Sequence, residues 1–471
     1  MTTPRKLGLF DAAMISSGAM IGAGIFMNSA ESAKFLQTSS QLLLVWGLGG
    51  LIAVLGGICF AELGALFPQS GGQVVYLEKG FAPWLGFLFG WTLFSTIQTG
   101  AIAAVSMTCA RFIGVFLPLS DGPTRLLAAG IIWLLSAVNY LGLRPGSIVQ
   151  NVFTSLKFLS LIILIAIGLF AFHPASVSLG PLFPGGLTAG ALSALGLALM
   201  PALFSYGGWQ NLNFVGGEVK NPGRTMPLAI LTGVGMVVAV YVLANVAYVR
   251  ALPLPAIAGS SKLASDAMQA MVGPWGSRFI AAAIVISTFG ITNVFILTGA
   301  RVYQVMARSR MFLPAVGKTH PRFGTPAAAI VLQSVWASGL LLTNGYGRLL
   351  QYVTFGDWIF FGLTALALIV LRRKMPGAPR PYRAWGYPLV PALFFLVSAA
   401  VVINVCVSAP LKSLAGTAII LAGLPLYAWS RRTKAIPPPD LPSGGGEGRT
   451  ASWDSGRSNT WNGPSLSRRL E

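Results

Sequence analysis

Two glycine-rich runs and two ionisable side chains carry the chemistry open to this chain. The runs are GAMIGAGIF, Gly18 to Phe26, and SYGGWQNLN, Ser205 to Asn213, each inside an otherwise apolar stretch. Glycine costs about 1 kcal/mol relative to alanine in a helix, so Gly18, Gly22 and Gly24 together favour local unwinding. An unwound segment bares amides that suit a carboxylate and carbonyls that suit an ammonium. One broken helix can therefore address both poles of a zwitterion. Lys157 stands in the apolar run SLKFLSLIILIAIGLF and Asp357 in TFGDWIF. An ionisable group at such a place is costly and a functional candidate by default. For Lys157 the competing reading is snorkelling to the nearer interface. For Asp357 three readings stand side by side: attraction of a cation, uptake of a proton, or a structural hydrogen bond. Metal and covalent chemistry are not expected. Cys59, Cys109 and Cys406 sit in apolar context without metal or disulfide spacing, and His173 and His320 are the only imidazoles. No HExxH and no Ser/His/Asp set is present, and neither glycine run follows a strand as a nucleotide-binding loop would. The chain is therefore not expected to be an enzyme or to carry a cofactor.

The elements that must position these groups are membrane helices. The chain is 54% hydrophobic and only 9% charged, with a mean hydropathy of +0.72, whereas a soluble globule is roughly one quarter charged. Apolar stretches of about 20 residues recur, each long enough to cross a hydrocarbon core as a helix. About 12 spans are expected on that yardstick, beginning near residues 9, 40, 84, 125, 148, 189, 227, 277, 326, 349, 388 and 412. The formal charge of +20 does not point to nucleic acid, because the basic residues lie in loops without an aromatic-interleaved basic face. They follow topology instead. Loops on the side of the N-terminus carry Lys79, Arg144, Lys220, Arg224, Arg308, Arg322, Arg372, Arg380 and Arg431 among others, and the opposite side has far fewer. By the positive-inside rule both termini are cytoplasmic. No removable signal peptide is read at the start. Residues 436–471 turn to Pro, Gly and Ser with scattered charge, the composition of a disordered tail.

The two glycine runs fall in the first and sixth spans, in comparable places. Their separation fits two five-helix repeats of opposite topology, spans 1 to 5 and 6 to 10. The bland alternative is that these glycines only allow close helix packing. The organisation expected is a transmembrane domain over 1–435, with repeat one at about 8–173, repeat two at about 188–373 and two further helices at about 386–430.

At these residues the sequence resembles the amino acid, polyamine and organocation (APC) transporter superfamily, and within it the L-type amino acid transporter branch. Besides GAMIGAGIF, the resemblance rests on FAELGALFPQSGGQVVYL (Phe60 to Leu77), FSYGGWQNLNFVGGEVKNPGRTMPLAI (Phe204 to Ile230) and RPYRAWGYPLVP (Arg380 to Pro391). It covers nearly the whole chain except the tail. It implies a LeuT-type fold, all-α, with helices 1 and 6 broken and substrate held between the breaks. It places the substrate α-carboxylate at amides near Ala23 and Gly24, in the segment Met20, Ile21, Gly22, Ala23 and Gly24. The α-amino group falls at carbonyls near Met20 and Phe204, and Phe204 is implied to be the aromatic gate. Ser205, Gly207, Gln210, Asn293 and Asp357 are the remaining candidates to line the site, with interhelical hydrogen bonding as the other reading for Gln210 and Asn293. The resemblance puts the Lys157 ammonium where sodium-coupled relatives hold a sodium ion, bridging the first and fifth spans, with Ser287 and Thr288 completing that region. Lys157 is then a permanent tether or a proton carrier.

The implied function is sodium-independent transport of neutral amino acids, by exchange or with protons, through alternating access in a cell membrane, most simply a bacterial inner membrane. Gly207 stands where relatives that take cationic amino acids can carry an acid, which favours a neutral substrate. Transport of cationic amino acids, polyamines or other amines is the nearest alternative, with a channel or membrane enzyme behind it. Glu62 and Glu218 are expected to pair with loop arginines. Animal relatives attach an accessory glycoprotein through a cysteine between spans 3 and 4, and Arg111 to Arg125 holds none, so no covalent heavy chain is expected.

Overall fold

The computed structural model describes residues 5–117, 119–172, 179–343 and 346–432, so His173 and the tail beyond 435 lie outside the described residues. Among the described residues there is no strand, only one isolated bridge between Leu7 and Val219. In lipid every backbone polar group must find a partner inside the protein, and a helix supplies one within its own segment. Among the described residues eleven helices are long and apolar enough to cross a membrane, including Leu9–Ala33, Ser39–Leu66, Pro83–Ile113, Ser147–Ala171, Ala189–Tyr206, Pro222–Ala251, Pro274–Arg308 and Val353–Lys374. Each begins near a position expected from the sequence. At the expected ninth span stands a shorter apolar helix, Ala327–Leu342. The expected eleventh span begins at Leu389, directly after Pro388, which leaves Pro391 in the first turn where proline is tolerated.

Small residues set how closely the spans approach. The second span crosses the seventh, where a Cβ on Gly50 would meet Val238 at 2.7 Å and one on Gly57 would meet Val234 at 3.3 Å. Gly233 of the seventh span lies against Ser16 of the first, with 3.1 Å to its hydroxyl from an added Cβ. Without a hydrophobic force between helices in lipid, such close approach supplies the dispersion contacts that hold the bundle.

The first and sixth spans are each interrupted. Helix Leu9–Met20 stops where Ile21 turns extended, with ψ of 94°, and a second helix starts at Gly24. Helix Ala189–Tyr206 stops at Gly207, with ψ of 152°, and only the short Asn211–Phe214 and a turn at Gly216–Glu218 follow. The two interruptions lie against each other. Gly208 has φ of 133°, and a Cβ there would run into the Ala19 carbonyl, so glycine is required on two counts. A Cβ on Gly24 would meet the Ser205 hydroxyl at 2.5 Å. Close packing and interruption are thus one feature of this fold.

Both carboxylates at the ends of the second and sixth spans are buried in ion pairs. Glu62 is fully buried and takes four bonds: Arg372 Nε at 2.9 Å and Nη2 at 2.5 Å, Arg380 Nε at 3.1 Å, and the Ala384 amide at 2.6 Å. The Arg372 guanidinium also sits 3.9 Å from the centre of the Tyr387 ring. Arg380 is the expected loop arginine, joined by Arg372 from the end of the tenth span. Glu218 departs from expectation. Its partner, at 3.2 Å, is Arg301, a buried residue of the eighth span and not a loop arginine. The Glu218 carbonyl accepts from the amides of Lys6 and Leu7, and Leu7 accepts from Lys220, which straps the N-terminal segment to the loop after the sixth span.

Removing one partner of a buried ion pair costs roughly 3–5 kcal/mol, because the other charge stays desolvated and alone. Glu62→Ala strands Arg380, whose side chain is only 5% exposed. The variant is expected to insert but to lose monodispersity on heating well below the wild type. An unchanged thermal profile in fluorescence-detected size exclusion would contradict this account.

Candidate functional site between two helix interruptions

The two interruptions wall one side of a cavity lined by Met20, Gly22, Ala23 and Gly24 from the first span and by Phe204, Ser205, Gly207, Gly208 and Gln210 from the sixth. The rest of the wall comes from the third, eighth and tenth spans, including Gln98, Val105, Ile291, Phe295, Asp357, Trp358 and Phe361. Nine of the eleven expected lining residues are among these; Ile21 and Asn293 are not. The Ile21 side chain is buried in the core and its carbonyl accepts from Ser287 Oγ at 3.3 Å. Asn293 is turned to Asn139, whose amide donates to it at 2.8 Å, which is the interhelical bond weighed as its alternative role. The apolar members and Gln98 escaped the sequence reading. Gln98 carried a usable signal, as an amide within an apolar run, and it directly follows a π-helical turn at Leu93–Ile97, a feature common at functional sites.

The polar groups bared at the interruptions divide unequally. The amides of Ala23 and Gly24 open the second half-helix, border the cavity and have no acceptor among the described residues. The carbonyls ending the first half-helix are met by side chains. Gly18 accepts from Lys157 Nζ at 2.9 Å and Met20 from the Tyr241 hydroxyl at 2.8 Å. At the sixth-span interruption the Phe204 carbonyl accepts from the Gly207 amide at 3.2 Å. The Gly208 amide donates to Gln210 Oε1 at 3.0 Å, and the Gly208 carbonyl accepts from Asn211 Nδ2 at 3.0 Å. Gln210 thus props the interruption open as well as bordering the cavity. Asn211 is held in turn by Thr298 at 2.7 Å and Gln98 at 3.3 Å, tying the sixth span to the eighth and third. Ser205 is fixed by Asn28 Nδ2 at 2.8 Å, so the two interrupted helices are also joined beyond their breaks. A carbonyl oxygen has two lone pairs, so Met20 and Phe204 each keep one for a ligand. The free donors favour an anionic group at the first-span interruption and the remaining lone pairs a cationic one nearby.

Lys157 lies outside the cavity, behind the first-span interruption. Its side chain is fully buried and its ammonium reaches the Gly18 carbonyl, not an interface. Gly290 of the eighth span makes room for it: an added Cβ would come within 3.1 Å of Lys157 Cε. The bond is the last of a ladder along the first and fifth spans. Asn151 donates to Asp11 at 2.7 Å, Gln150 to the Met14 carbonyl at 3.2 Å, and then Lys157 to Gly18. Ser287 extends the ladder to Ile21 from the eighth span. Thr288, expected beside it, turns back on its own helix to the Ile284 carbonyl at 2.7 Å, a bond common for threonine in helices.

Asp357 projects from the tenth span into the cavity wall. It keeps some exposed surface inside the bundle because it borders the cavity, and it has no hydrogen-bond or ion-pair partner among the described residues.

Comparison with known proteins places this geometry. Residues 7–429 match the family model described as amino acid permease. The chain is 31% identical to the b(0,+)-type amino acid transporter 1 of Homo sapiens, with 90% of this chain and 87% of that one aligned. It is 31% identical to the human large neutral amino acids transporter small subunit 2, over 92% of this chain and 82% of that one. It is 28% identical to the serine/threonine exchanger SteT of Bacillus subtilis (strain 168), over 92% of this chain and 98% of that one. With a match over nearly its whole described length, and two interrupted helices meeting at a cavity within an all-helical membrane bundle, the chain belongs to the amino acid permease family of the APC superfamily.

Proposed function

We propose that this protein is a sodium-independent transporter of neutral amino acids that works by alternating access, as an exchanger or with protons. The observation that carries the proposal is the cavity at the paired interruptions, lined by Ala23 and Gly24, whose amides have no acceptor among the described residues, and by Met20 and Phe204. A free amino acid brings a carboxylate and an ammonium at a fixed short spacing, which satisfies both sets at once. Phe204 closes over the substrate in this reading. The names of the three relatives agree on amino acids as cargo. Lys157 replaces a coupling cation: its fixed ammonium holds the Gly18 carbonyl to the fifth span, which supports independence from sodium. One helix bundle rocks against another around the site in this reading. Both termini face the cytoplasm of a bacterial inner membrane, by the excess of Lys and Arg on their side. No disulfide to a heavy chain forms at the loop after the third span, where cysteine is missing between Arg111 and Arg125.

One observation favours a second reading, that cationic amino acids or other amines are carried. Asp357 borders the cavity with its carboxyl group unpartnered among the described residues, and a cationic side chain would satisfy it.

Three measurements decide among these. Proteoliposomes holding the purified chain are expected to take up labelled neutral amino acid saturably, without sodium and faster when preloaded with unlabelled amino acid; no saturable flux under any gradient would defeat the proposal. Lys157→Ala is expected to insert normally yet lose about tenfold or more in turnover, a barrier change of about 1.4 kcal/mol or greater. Wild-type kinetics across pH in that variant would remove Lys157 from the mechanism. For the second reading, lysine or arginine is expected to compete with uptake and to lose about tenfold in potency in Asp357→Asn. Absence of competition in the wild type would leave only neutral substrates.

A further inference from the structure

On the membrane face that carries the N-terminus, away from the cavity, a groove opens between the N-terminal segment, the start of the seventh span and the loop before Leu389. Its polar end holds Arg5 and Arg224, both exposed and both without a partner among the described residues. Among the described residues no carboxylate lines the groove, and Glu62 is spent on Arg372 and Arg380, Glu218 on Arg301 and Asp11 on Asn151. The two arginines therefore form an uncompensated positive site in a chain of net charge +20. One wall is aromatic, with Trp385 68% exposed where an interfacial ring is at home. The floor is apolar and continues into the bilayer. Leu228 and Leu231 follow Arg224 by four and seven residues, so they share its helix face and reach about 10 Å along the seventh span. A cationic mouth, an interfacial indole and an apolar floor running down a membrane helix match the three parts of a charged lipid in order.

We propose that this groove is a binding site for an anionic phospholipid, its phosphate held by Arg5 and Arg224 and an acyl chain lying over Leu228 and Leu231. The lipid ties the N-terminal segment to the seventh span at the same end where Leu7 and Val219 already pair. A soluble anion would meet the arginines alone and gain nothing from the floor, and a zwitterionic lipid would bring a second charge of the wrong sign.

The test is titration of the purified full-length chain in non-ionic detergent with dioleoyl-phosphatidylglycerol, read as bound lipid by native mass spectrometry. Saturable binding is expected, with dioleoyl-phosphatidylcholine weaker by about tenfold or more. The pair Arg5→Gln and Arg224→Gln is expected to lower affinity on the order of thirtyfold, and the pair Arg5→Lys and Arg224→Lys to stay within about threefold of the wild type. Leu228→Asn is expected to weaken the lipid without touching either arginine. Monodisperse elution of each variant shows that it is folded. Undiminished phosphatidylglycerol binding by the glutamine pair, or equal binding of phosphatidylcholine, overturns the proposal. So does displacement of the lipid by equimolar glycerol 3-phosphate, which would make the site one for a soluble anion. A change of oligomeric state in the glutamine pair with lipid binding intact would assign the groove to a second copy of the chain and equally overturn it.

Discussion

A backbone amide or carbonyl in the bilayer interior has no water to turn to, and an unsatisfied one costs several kcal/mol. Continuous helices meet that demand without help, which is why interruption is the costly event in this fold and the informative one. At Met20–Gly24 and Tyr206–Asn211 the chain gives up intrahelical bonds, and side chains take them over: Tyr241, Lys157 and Ser287 from three other spans at the first break, and Gln210 and Asn211 of the sixth span itself at the second, Asn211 held in turn by Gln98 and Thr298. The amides of Ala23 and Gly24 are among the groups left over. A backbone donor is the same whatever side chain its residue carries, so glycine and alanine, the least decorated residues, can stand at this break.

Glycine does two jobs at these positions, and the structure joins readings that the sequence set against each other. The close-packing account and the broken-helix account were alternatives for GAMIGAGIF. Gly24 sits on Ser205 and Gly208 on Ala19, so the same absence of Cβ that permits unwinding also lets the two unwound segments touch. The contact makes one site of two interruptions. Had they been merely flexible, each would have faced its own neighbours.

The charged groups fall into two sets with different duties. Glu62 with Arg372 and Arg380, and Glu218 with Arg301, join different spans at one end of the bundle through ion pairs that are buried on most sides. Lys157 instead binds a carbonyl and faces no carboxylate among the described residues, which sets its amino group at the carbonyl end of the first half-helix. An ion pair once separated leaves two buried charges, whereas an ammonium leaving a carbonyl leaves one charge and one dipole.

Much of this was legible in the sequence because it depends on local properties. Hydropathy and length located the spans, since the bilayer imposes one length scale on every crossing. Glycine clusters marked the interruptions, since helix propensity is a property of the residue. An isolated lysine in an apolar run announced itself by its cost alone. Partnership was decided only by the fold. Thr288 and Ser287 are adjacent and chemically alike, yet a helix turns neighbours by 100°, so one reaches Ile21 and the other its own backbone. Asn293 and Gln210 were equal candidates until packing sent one to Asn139 and set the other across the second interruption. The apolar wall of Ile291, Phe295, Trp358 and Phe361 carries no local mark, because a leucine-like surface facing a cavity and one facing lipid have the same composition. Arg301 escaped for a related reason: its burial beside Glu218 joins residues 83 positions apart, a distance that no local pattern spans.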